Sequence, residues 1–343
     1  MTDFHIQWHL TDRCNLRCLH CYQDQFLRDK ELDWDRLKRI CDNLFATMDK
    51  WNAKLTIALT GGEPLLKEEL WRLLEYLNEA PQVNSLSIIT NGTIINRYIY
   101  LLSNYYKLDK LLISLDGFTS AINDLIRGKG TFFKTIGNIQ LAQQQGIPII
   151  VMYTLLKQNI ADAKSAIAFA RRYHIDSVIL ERFIPLGQSK PLAAEAVSGE
   201  DLESLYRAIF NQIDLEYLPE EMIKYRALRL EFEKGAIRPS LYGAECIVGR
   251  DGMAILPDGT VLPCRRLNIP IGNLLETPLD DLWQQSEVLE NIRSKKKLKG
   301  NCGSCAILDC FGCRAMTYAL TGDYLAADPH CWVNSKFQIP NPK

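Results

Sequence analysis

Three cysteines lie within eight residues near the start of the chain, and their C-x3-C-x2-C spacing is the first pattern that could support chemistry: Cys14, Cys18 and Cys21. Three thiolates at this spacing can ligate three corners of one four-iron cluster. No fourth cysteine is near, so one iron would keep an open position where chemistry can occur. The alternatives are three unrelated core cysteines or a structural zinc loop, which needs four ligands, usually in two separated pairs. His20 could be the fourth zinc ligand, although so short a loop would then be strained.

A second group of cysteines lies near the other end of the chain, after a stretch from 42 to 245 that contains none. Its seven members exceed any need of core packing, and a zinc ribbon is the alternative to cluster ligation. Cys41 differs, because it falls on the apolar face of a predicted helix and is expected to be a small buried hydrophobe. The seven cysteines are Cys246, Cys264, Cys302, Cys305, Cys310, Cys313 and Cys331.

The composition is that of a globular protein of 343 residues, with 47% hydrophobic and 24% charged residues. A formal net charge of −1 gives no basic footprint for nucleic acid or for an anionic membrane surface. We find neither a signal peptide nor an apolar run near the ~20 residues that a membrane span requires. We therefore predict a cytoplasmic protein, in a reducing compartment where clustered cysteines indicate metal binding or catalysis.

Short apolar runs alternate with amphipathic stretches through the first two-thirds of the chain. Helical spacing is clear at Trp34, Leu37, Cys41 and Leu44 and is also predicted for Phe133, Ile136 and Ile139. Strand–helix alternation favours a parallel sheet covered by helices, either a partial barrel or a doubly wound sheet, with the functional end at the carboxyl ends of the strands. The predicted strands are 4–10, 54–59, 85–89, 110–115, 147–154 and 177–183.

The pattern changes in the last third of the chain. Residues 200–235 are charged and are predicted to form a bridging helical segment. Pro257-Asp258-Gly259-Thr260 predicts a tight turn between two short strands, and a helix is predicted near 279–292.

With the spacing of Cys14, Cys18 and Cys21, and with Tyr22 at the usual aromatic position, the chain resembles the radical S-adenosylmethionine (SAM) superfamily. The resemblance implies an α/β fold, a partial (β/α)6 TIM-like barrel. It also implies that the open iron chelates the methionine part of SAM, and that an electron from the cluster releases a 5′-deoxyadenosyl radical.

Polar positions at the ends of the predicted strands match places where this family contacts SAM. Thr60-Gly61-Gly62-Glu63-Pro64 resembles the family's GGEP motif, whose glycines allow close approach and whose carboxylate suits an ammonium group. A plain turn, or a solvated or ion-paired arginine, is the alternative for such positions. The resemblance names no catalytic residue, and the cofactor-binding residues that it implies are Tyr22, Gly61, Gly62, Glu63, Asn91, Ser114, Arg127 and Arg182.

The C-terminal cysteines resemble the SPASM extension, a small cysteine-rich α+β domain with two auxiliary four-iron clusters. Its middle element is usually C-x2-C-x5-C-x3-C, and both later gaps are one residue shorter here. The resemblance implies three 4Fe-4S clusters in all and the domains 1–215 (barrel), 216–245 (helical linker) and 246–343. Seven cysteines cannot supply eight ligands, so we hypothesise an open iron in the first auxiliary cluster. By resemblance, that cluster takes Cys246, Cys264 and Cys313, and the second takes Cys302, Cys305, Cys310 and Cys331.

The resemblance favours modification of a ribosomally made peptide or protein by crosslinking or oxidation. A radical enzyme acting on a small molecule or tetrapyrrole is the rival, and a non-catalytic multi-cluster electron carrier or zinc-binding protein is the rival of another class. Only 13 residues precede Cys14, so we expect substrate recognition by a separate leader-binding protein or by the barrel and C-terminal surfaces. A flavodoxin or ferredoxin is the expected electron donor.

Overall fold

A computed structural model describes residues 3–216, 222, 227–233, 235–244, 246–307 and 309–331. Eleven strands form one continuous sheet, in the order β11-β10-β9-β1-β2-β3-β4-β5-β6-β7-β8. Strands β1 to β6 are mutually parallel, each beside its successor in the chain. The strands are Asp3–His9 (β1), Lys54–Thr60 (β2), Val83–Thr90 (β3), Leu108–Ser114 (β4), Ile149–Leu155 (β5), Ser177–Arg182 (β6), Ala227–Glu231 (β7), Ser240–Ala244 (β8), Gly252–Ile255 (β9), Thr260–Leu262 (β10) and Gly272–Asn273 (β11).

Helices connect the parallel strands, as the sequence alternation predicts, and this arrangement confirms the partial (β/α) barrel. Four short 3₁₀ segments, 64–66, 95–97, 187–195 and 295–297, complete the described helical turns. None of the helices in the described ranges has the length and hydropathy needed to cross a bilayer. The α-helices are Trp34–Trp51 (α1), Leu70–Glu79 (α2), Ile99–Leu102 (α3), Ser120–Arg127 (α4), Thr131–Gln144 (α5), Ile160–Ala163 (α6), Ala166–Tyr173 (α7), Gly199–Gln212 (α8), Leu279–Gln285 (α9), Glu287–Arg293 (α10), Gly300–Ser304 (α11) and Arg314–Thr321 (α12).

Strand β1 shows how the sequence divides the two faces of the sheet. Phe4, Ile6 and Trp8 are buried and belong to the main hydrophobic core with the buried face of α1. Gln7 has the opposite parity and lines an internal cavity. Successive side chains of a strand point to opposite faces, so one face packs on helices and the other faces the cavity.

Helix α1 follows the cysteine loop and closes the first strand–helix unit. The Asp33 side chain caps it by accepting a hydrogen bond of 3.0 Å from the Arg36 backbone N–H, and Asn52 ends it with a left-handed φ of 51°. Cys41 is fully buried on the apolar face, as predicted.

The prediction of a helical bridge is wrong beyond residue 212. The segment predicted to be a helical bridge ends its helix at Gln212, and strands β7 and β8 follow within the supposed helical linker. Strand β7 is antiparallel to β6, and β8 is antiparallel to β7. Residues 217–221, 223–226, 234 and 245 of that linker lie outside the described ones. Leu228 and Leu230 alternate as in a strand and bury their side chains on the sheet, which outweighs the charged composition. The domain boundaries themselves stay a prediction.

Helix α5 also presents a different face from the predicted one. Phe133 is 69% exposed, and Phe132 with Ile136 and Ile139 forms the buried side.

The predicted helix over 279–292 is two helices, because Ser286 interrupts it and caps the second by accepting from the Leu289 N–H at 3.4 Å.

The C-terminal region extends the same sheet. Strand β9 pairs in parallel with β1, and β9 and β10 form the predicted hairpin, antiparallel around a turn in which Gly259 has a φ of 84°. The C-terminal region therefore contacts the first strand of the barrel directly, through β9.

Candidate functional site

The three N-terminal cysteines lie together in one cavity. Cys14, Cys18 and Cys21 occupy the loop after β1 and line a cavity of about 150 Å³ at the carboxyl ends of the parallel strands. Each of the three is half-buried. This end of the sheet is where strand–helix loops meet and where parallel α/β folds place their active sites.

Gly61 and Gly62 hold this loop against the end of β2. The Gly62 N–H donates to the Thr11 carbonyl at 2.7 Å, and the Glu63 N–H donates to the Arg13 carbonyl at 2.8 Å. A Cβ at Gly62 would lie 2.3 Å from the Arg13 carbonyl oxygen, and one at Gly61 would lie 2.6 Å from that of Thr11. The glycines thus permit close approach of protein backbone to protein backbone, in addition to lining the cavity.

The thiols lie in an environment that disfavours their charge unless a cation balances it. Burial raises the pKa of the Cys18 thiol to about 11, and burial also raises the pKa values of Cys14 and Cys21. The Arg127 Nη1 lies 3.9 Å from Cys18 Sγ and the Asn91 Nδ2 lies 3.9 Å from Cys14 Sγ.

The donor set fits a cluster better than a single ion. Within the described residues, no three His, Cys, Asp or Glu side chains converge on the position of one metal ion. A cluster binds each thiolate at a different iron, so its ligands need not converge on one point. The three cysteines share one cavity, which is what a cluster with three protein ligands requires.

Behind the thiols lies a buried ionic network that sequence reasoning missed. Asp116 is fully buried, and its Oδ2 lies 2.6 Å from Arg127 Nε and 2.9 Å from His20 Nε2. Its Oδ1 accepts from the Thr154 N–H at 2.8 Å. Burial alone would raise the pKa of Asp116, but Arg127 and His20 outweigh it and hold the pKa well below its usual range. Arg127 therefore faces both a carboxylate and a thiol, and its predicted pairing with a cofactor carboxylate stays a prediction.

Glu63 lies behind the cavity wall, and its side chain is not among those that line the cavity. It is fully buried, and its carboxylate accepts from Thr90 Oγ1 at 2.8 and 2.9 Å and from the Asn91 N–H at 2.9 Å. Burial raises the pKa of Glu63 to about 7, against these hydrogen bonds, which lower it. Glu63 thereby holds the end of β3, and its predicted contact with an ammonium group stays a prediction.

Asn91, Ser114, Tyr22 and Arg182 line the cavity, and their role in cofactor binding stays a prediction. Arg182 is only 5% exposed, and its Nη1 lies 3.9 Å from Asp328 Oδ2. Its Nη2 is buried without a hydrogen-bonding partner in the described part of the chain. A buried donor left unsatisfied is costly, so this nitrogen indicates a position for a ligand acceptor.

Arg265 and Arg266 reach the same cavity from the C-terminal region, and neither was predicted. Arg266 forms an ion pair with Glu181, which also lines the cavity. Arg265 donates to His9 Nδ1 at 2.9 Å and lies over the Tyr22 ring. Arg265 and Arg266 could have been found from their position directly after Cys264. His20 could have been found from its place between two predicted cluster ligands, Cys18 and Cys21.

The C-terminal cysteines lie in two neighbouring settings. Cys264 and Cys313 pack on one small apolar cluster that includes Ile184 and Met316. Asp328 links two parts of this region, because its N–H lies 3.3 Å from Cys302 Sγ and its Oδ2 accepts from the Cys313 N–H at 2.7 Å. Because Cys264 and Cys313 pack on the same cluster, their positions are compatible with the predicted first ligand set. Both ligand sets stay predictions.

Comparison with known protein families gives two matches. Residues 8–170 match the model of the radical SAM superfamily, and residues 246–310 match the model of the SPASM iron-sulfur cluster-binding domain. The two matched ranges contain the cysteine loop and most of the C-terminal cysteines.

Known relatives cover nearly the whole chain. An AdoMet-dependent heme synthase of Methanosarcina barkeri is 28% identical over 95% of this chain and 95% of its own length. The mycofactocin maturase MftC of Mycobacterium tuberculosis is 27% identical over 95% of this chain and 82% of its own length. Among solved structures, Streptococcus suis SuiB bound to precursor peptide SuiA shares the fold, with a TM-score of 0.73 and 19% identity over 96% of this chain and 76% of SuiB.

Proposed function

The chain belongs to the radical SAM superfamily and carries a SPASM domain, and from this premise we propose that it modifies a ribosomally made peptide or protein. The supporting observation is a cavity at the carboxyl ends of the strands that all three N-terminal thiols line together with Arg182, whose buried Nη2 has no hydrogen-bonding partner among the described residues. Mycofactocin maturase and the PqqA peptide cyclase of Ruegeria pomeroyi, each 27% identical, support the choice of a peptide.

The N-terminal cysteines would hold a 4Fe-4S cluster, and the neighbouring polar groups would bind SAM. When bound, the cluster supplies the electron that cleaves SAM to methionine and a 5′-deoxyadenosyl radical, which abstracts a hydrogen atom from the substrate. Cys14, Cys18 and Cys21 serve as ligands. Arg182 offers a buried cation to the carboxylate of SAM, and Asn91 and Ser114 offer short polar contacts from neighbouring strands.

The rest of the pocket holds these groups in place and limits access of water. Asp116 fixes the Arg127 guanidinium beside Cys18, where the positive charge offsets the charge of a thiolate. Tyr22 and Phe183 add ring surface to the wall, which protects a reactive radical from solvent.

A test of this function uses anaerobically reconstituted protein, SAM and a strong low-potential reductant. We expect 5′-deoxyadenosine and methionine in equal amounts, measured by chromatography with mass detection. Protein that binds zinc in the cysteine loop, or binds iron yet leaves SAM intact, would instead be an electron carrier or zinc-binding protein.

A tetrapyrrole is the second candidate substrate, and two observations favour it. The heme synthase of M. barkeri matches 95% of both chains, whereas this chain covers 82% of mycofactocin maturase. The thiol cavity also offers a cation to a substrate carboxylate, because Arg265 has no carboxylate at ion-pairing distance within the described chain. It is one of four arginines that line this cavity, with Arg127, Arg182 and Arg266. Substrate-dependent stimulation of 5′-deoxyadenosine formation by a porphyrin or by peptides encoded near the gene would decide between the candidates.

The auxiliary clusters and partners complete the proposal. We propose two auxiliary 4Fe-4S clusters, with the ligand sets given above and an open iron in the first, so the reconstituted chain should bind about twelve irons. A flavodoxin or ferredoxin would deliver electrons, and a separate protein would bind the leader segment of a peptide substrate. Iron counting and spectroscopy of the auxiliary clusters without substrate test the ligand number.

A further inference from the structure

A second and larger cavity, of about 510 Å³, adjoins the thiol cavity. The two cavities share Tyr22, Gln23 and Arg265. The further walls of the larger one come from the C-terminal region, for example Tyr318, and from the segment after β6, for example Lys190. None of the cysteines lines it. It is therefore a separate compartment that opens beside the position of the predicted chemistry, with Arg265 at the junction.

Arg265 is held in a fixed orientation at this junction. Its Nε donates to His9 Nδ1 at 2.9 Å, and its guanidinium carbon lies 4.4 Å from the centroid of the Tyr22 ring. His9 is fully buried, and its Nε2 lies 2.9 Å from Asp12 Oδ1. Because Nδ1 accepts from Arg265, Nε2 carries the hydrogen and donates it to Asp12.

The direct hydrogen-bonding partner of the Arg265 guanidinium, His9, does not carry a negative charge. Burial above all, and Arg265 itself, lower the pKa of His9 to about 4, so the imidazole is neutral near pH 7. A neutral ring can fix the Nε of Arg265 without neutralising the guanidinium. Arg266 and Arg127 differ, because each pairs directly with a carboxylate.

The outer edge of the Arg265 guanidinium is free to bind a ligand. Within the described chain, no carboxylate lies at ion-pairing distance from Arg265, and neither terminal nitrogen has a hydrogen-bonding partner. The side chains that line the larger cavity have no net charge, because three carboxylates balance three cations: Asp12, Asp24 and Asp258 against Lys30, Lys190 and Arg265. The group that can bind a ligand is one oriented guanidinium whose two terminal nitrogens have no partner among the described residues.

We propose that the larger cavity is the substrate compartment and that Arg265 binds a carboxylate of the substrate there. A planar guanidinium matches a carboxylate with two parallel hydrogen bonds, which gives orientation as well as affinity. This inference rests on the proposed function. The carboxylate can belong to a tetrapyrrole or to a peptide, and the two sources are separate arms of the test.

The test compares acid and neutral forms of each probe on the reconstituted full chain. The first arm uses iron coproporphyrin III, a porphyrin with carboxylate side chains, and its tetramethyl ester, with binding followed by absorbance. The second arm uses an acidic peptide pool and a pool with Asn and Gln in place of Asp and Glu, with binding followed by fluorescence. We expect the acid to bind at least tenfold more tightly than its neutral form in one arm, and Arg265→Gln to abolish that preference.

Matched variants separate a specific loss from a damaged fold. Arg36→Gln changes an exposed arginine on α1 and should keep the full acid preference. Arg265→Lys keeps the charge but loses the planar fork, so it should keep part of the preference. His9→Ala should reduce the preference, and His9→Asn, whose amide oxygen can accept from Arg265 Nε, should restore part of it. A purely structural effect of His9 would change the melting temperatures without this rescue.

The outcomes distinguish the inference from the proposed function. If the wild-type chain prefers the acid in neither arm, or if Arg265→Gln weakens acid and neutral probes equally, the inference is overturned. If the wild-type chain forms no 5′-deoxyadenosine, the proposed function fails, whatever the binding experiment shows.

Discussion

The residues around Cys18 show how the chain prepares a buried site for negative charge. Arg127 lies between Cys18 Sγ and Asp116, and His20 contacts the same carboxylate. A thiolate alone would be unfavourable here, because burial raises the thiol pKa. Removal of one partner from such a buried ionic group typically costs about 3–5 kcal/mol, since it leaves an uncompensated charge.

At this scale we predict that Cys18→Ala abolishes 5′-deoxyadenosine formation and lowers the iron content from about twelve to about eight per chain. The physical reason is the loss of one of only three ligands. Cys41→Ala is the matched control, because Cys41 is fully buried in the core outside the site. It should keep all its iron and lose about 1 kcal/mol of stability. Equal iron loss in both variants would contradict the ligand assignment.

A second prediction at the residue scale concerns the pH dependence of stability. Glu63 has a pKa of about 7 in the fold, above the value of 4.5 expected for an unperturbed glutamate. Its contribution is therefore fully present below pH 4.5 and is lost as the pH rises towards 7, by up to about 3 kcal/mol. Urea unfolding from pH 5 to pH 7.5 should show this decline in the wild type and a flatter profile in Glu63→Gln. Parallel profiles would show that Glu63 is already ionised in the fold.

At the scale of elements, the cysteine loop depends on the end of β2. The loop and strand share backbone hydrogen bonds at Gly62 and Glu63, and the space for a side chain at Gly62 is filled by the Arg13 carbonyl. The backbone cannot move aside as a flexible side chain would. The position of the thiols is therefore set partly by a glycine that follows a different strand, β2.

We predict that Gly62→Ala displaces the loop, costs about 1–3 kcal/mol and lowers iron incorporation at the N-terminal cluster. Gly137→Ala is the matched control, because a Cβ there meets no atom within 4 Å and the residue lies inside helix α5. This control should stabilise the protein by about 0.5–1 kcal/mol. Thermal unfolding and iron counting on both variants test the prediction, and full iron content in Gly62→Ala would contradict it.

At the scale of the whole molecule, the barrel and the C-terminal region share one sheet and one core. Strand β9 pairs with β1, and Trp283 packs on Phe4 with ring centroids 4.9 Å apart. Asn43 on α1 donates to the carbonyls of Leu274 and Thr277 at 2.8 and 2.9 Å. Through Arg265, the same region also reaches the thiol cavity.

We predict that a fragment comprising residues 1–245 is mostly insoluble when it is expressed alone. Its β1 edge would be unpaired and Phe4 would lose its partner Trp283, and an exposed edge strand promotes aggregation. Coexpression of residues 246–343 should restore solubility, measured as the soluble fraction of the first fragment. A soluble first fragment with the melting temperature of the full chain would show that the barrel folds independently.

The sequence determined the elements whose signals are local. The periodicities predicted the six parallel strands and helix α1, and the turn at Asp258-Gly259 predicted the β9–β10 hairpin. The spacing of Cys14, Cys18 and Cys21 after a strand predicted one site with three thiols at the carboxyl ends of the strands, because strand ends and the following loops share one edge of a parallel sheet. Charge composition failed for β7, where burial on the sheet decides the conformation.

Only the tertiary structure decided which distant residues complete the site. Arg265 lies 256 positions after His9 in the chain, and no local pattern links the two residues. The pairing of β9 with β1 nevertheless brings Arg265 Nε to 2.9 Å from His9 Nδ1. The contact between Asp116 and His20 also depends on the tertiary structure, as does the position of Glu63 behind the wall of the thiol cavity. Periodicity and spacing report what each segment buries, whereas contacts between segments depend on how the whole sheet is ordered and packed.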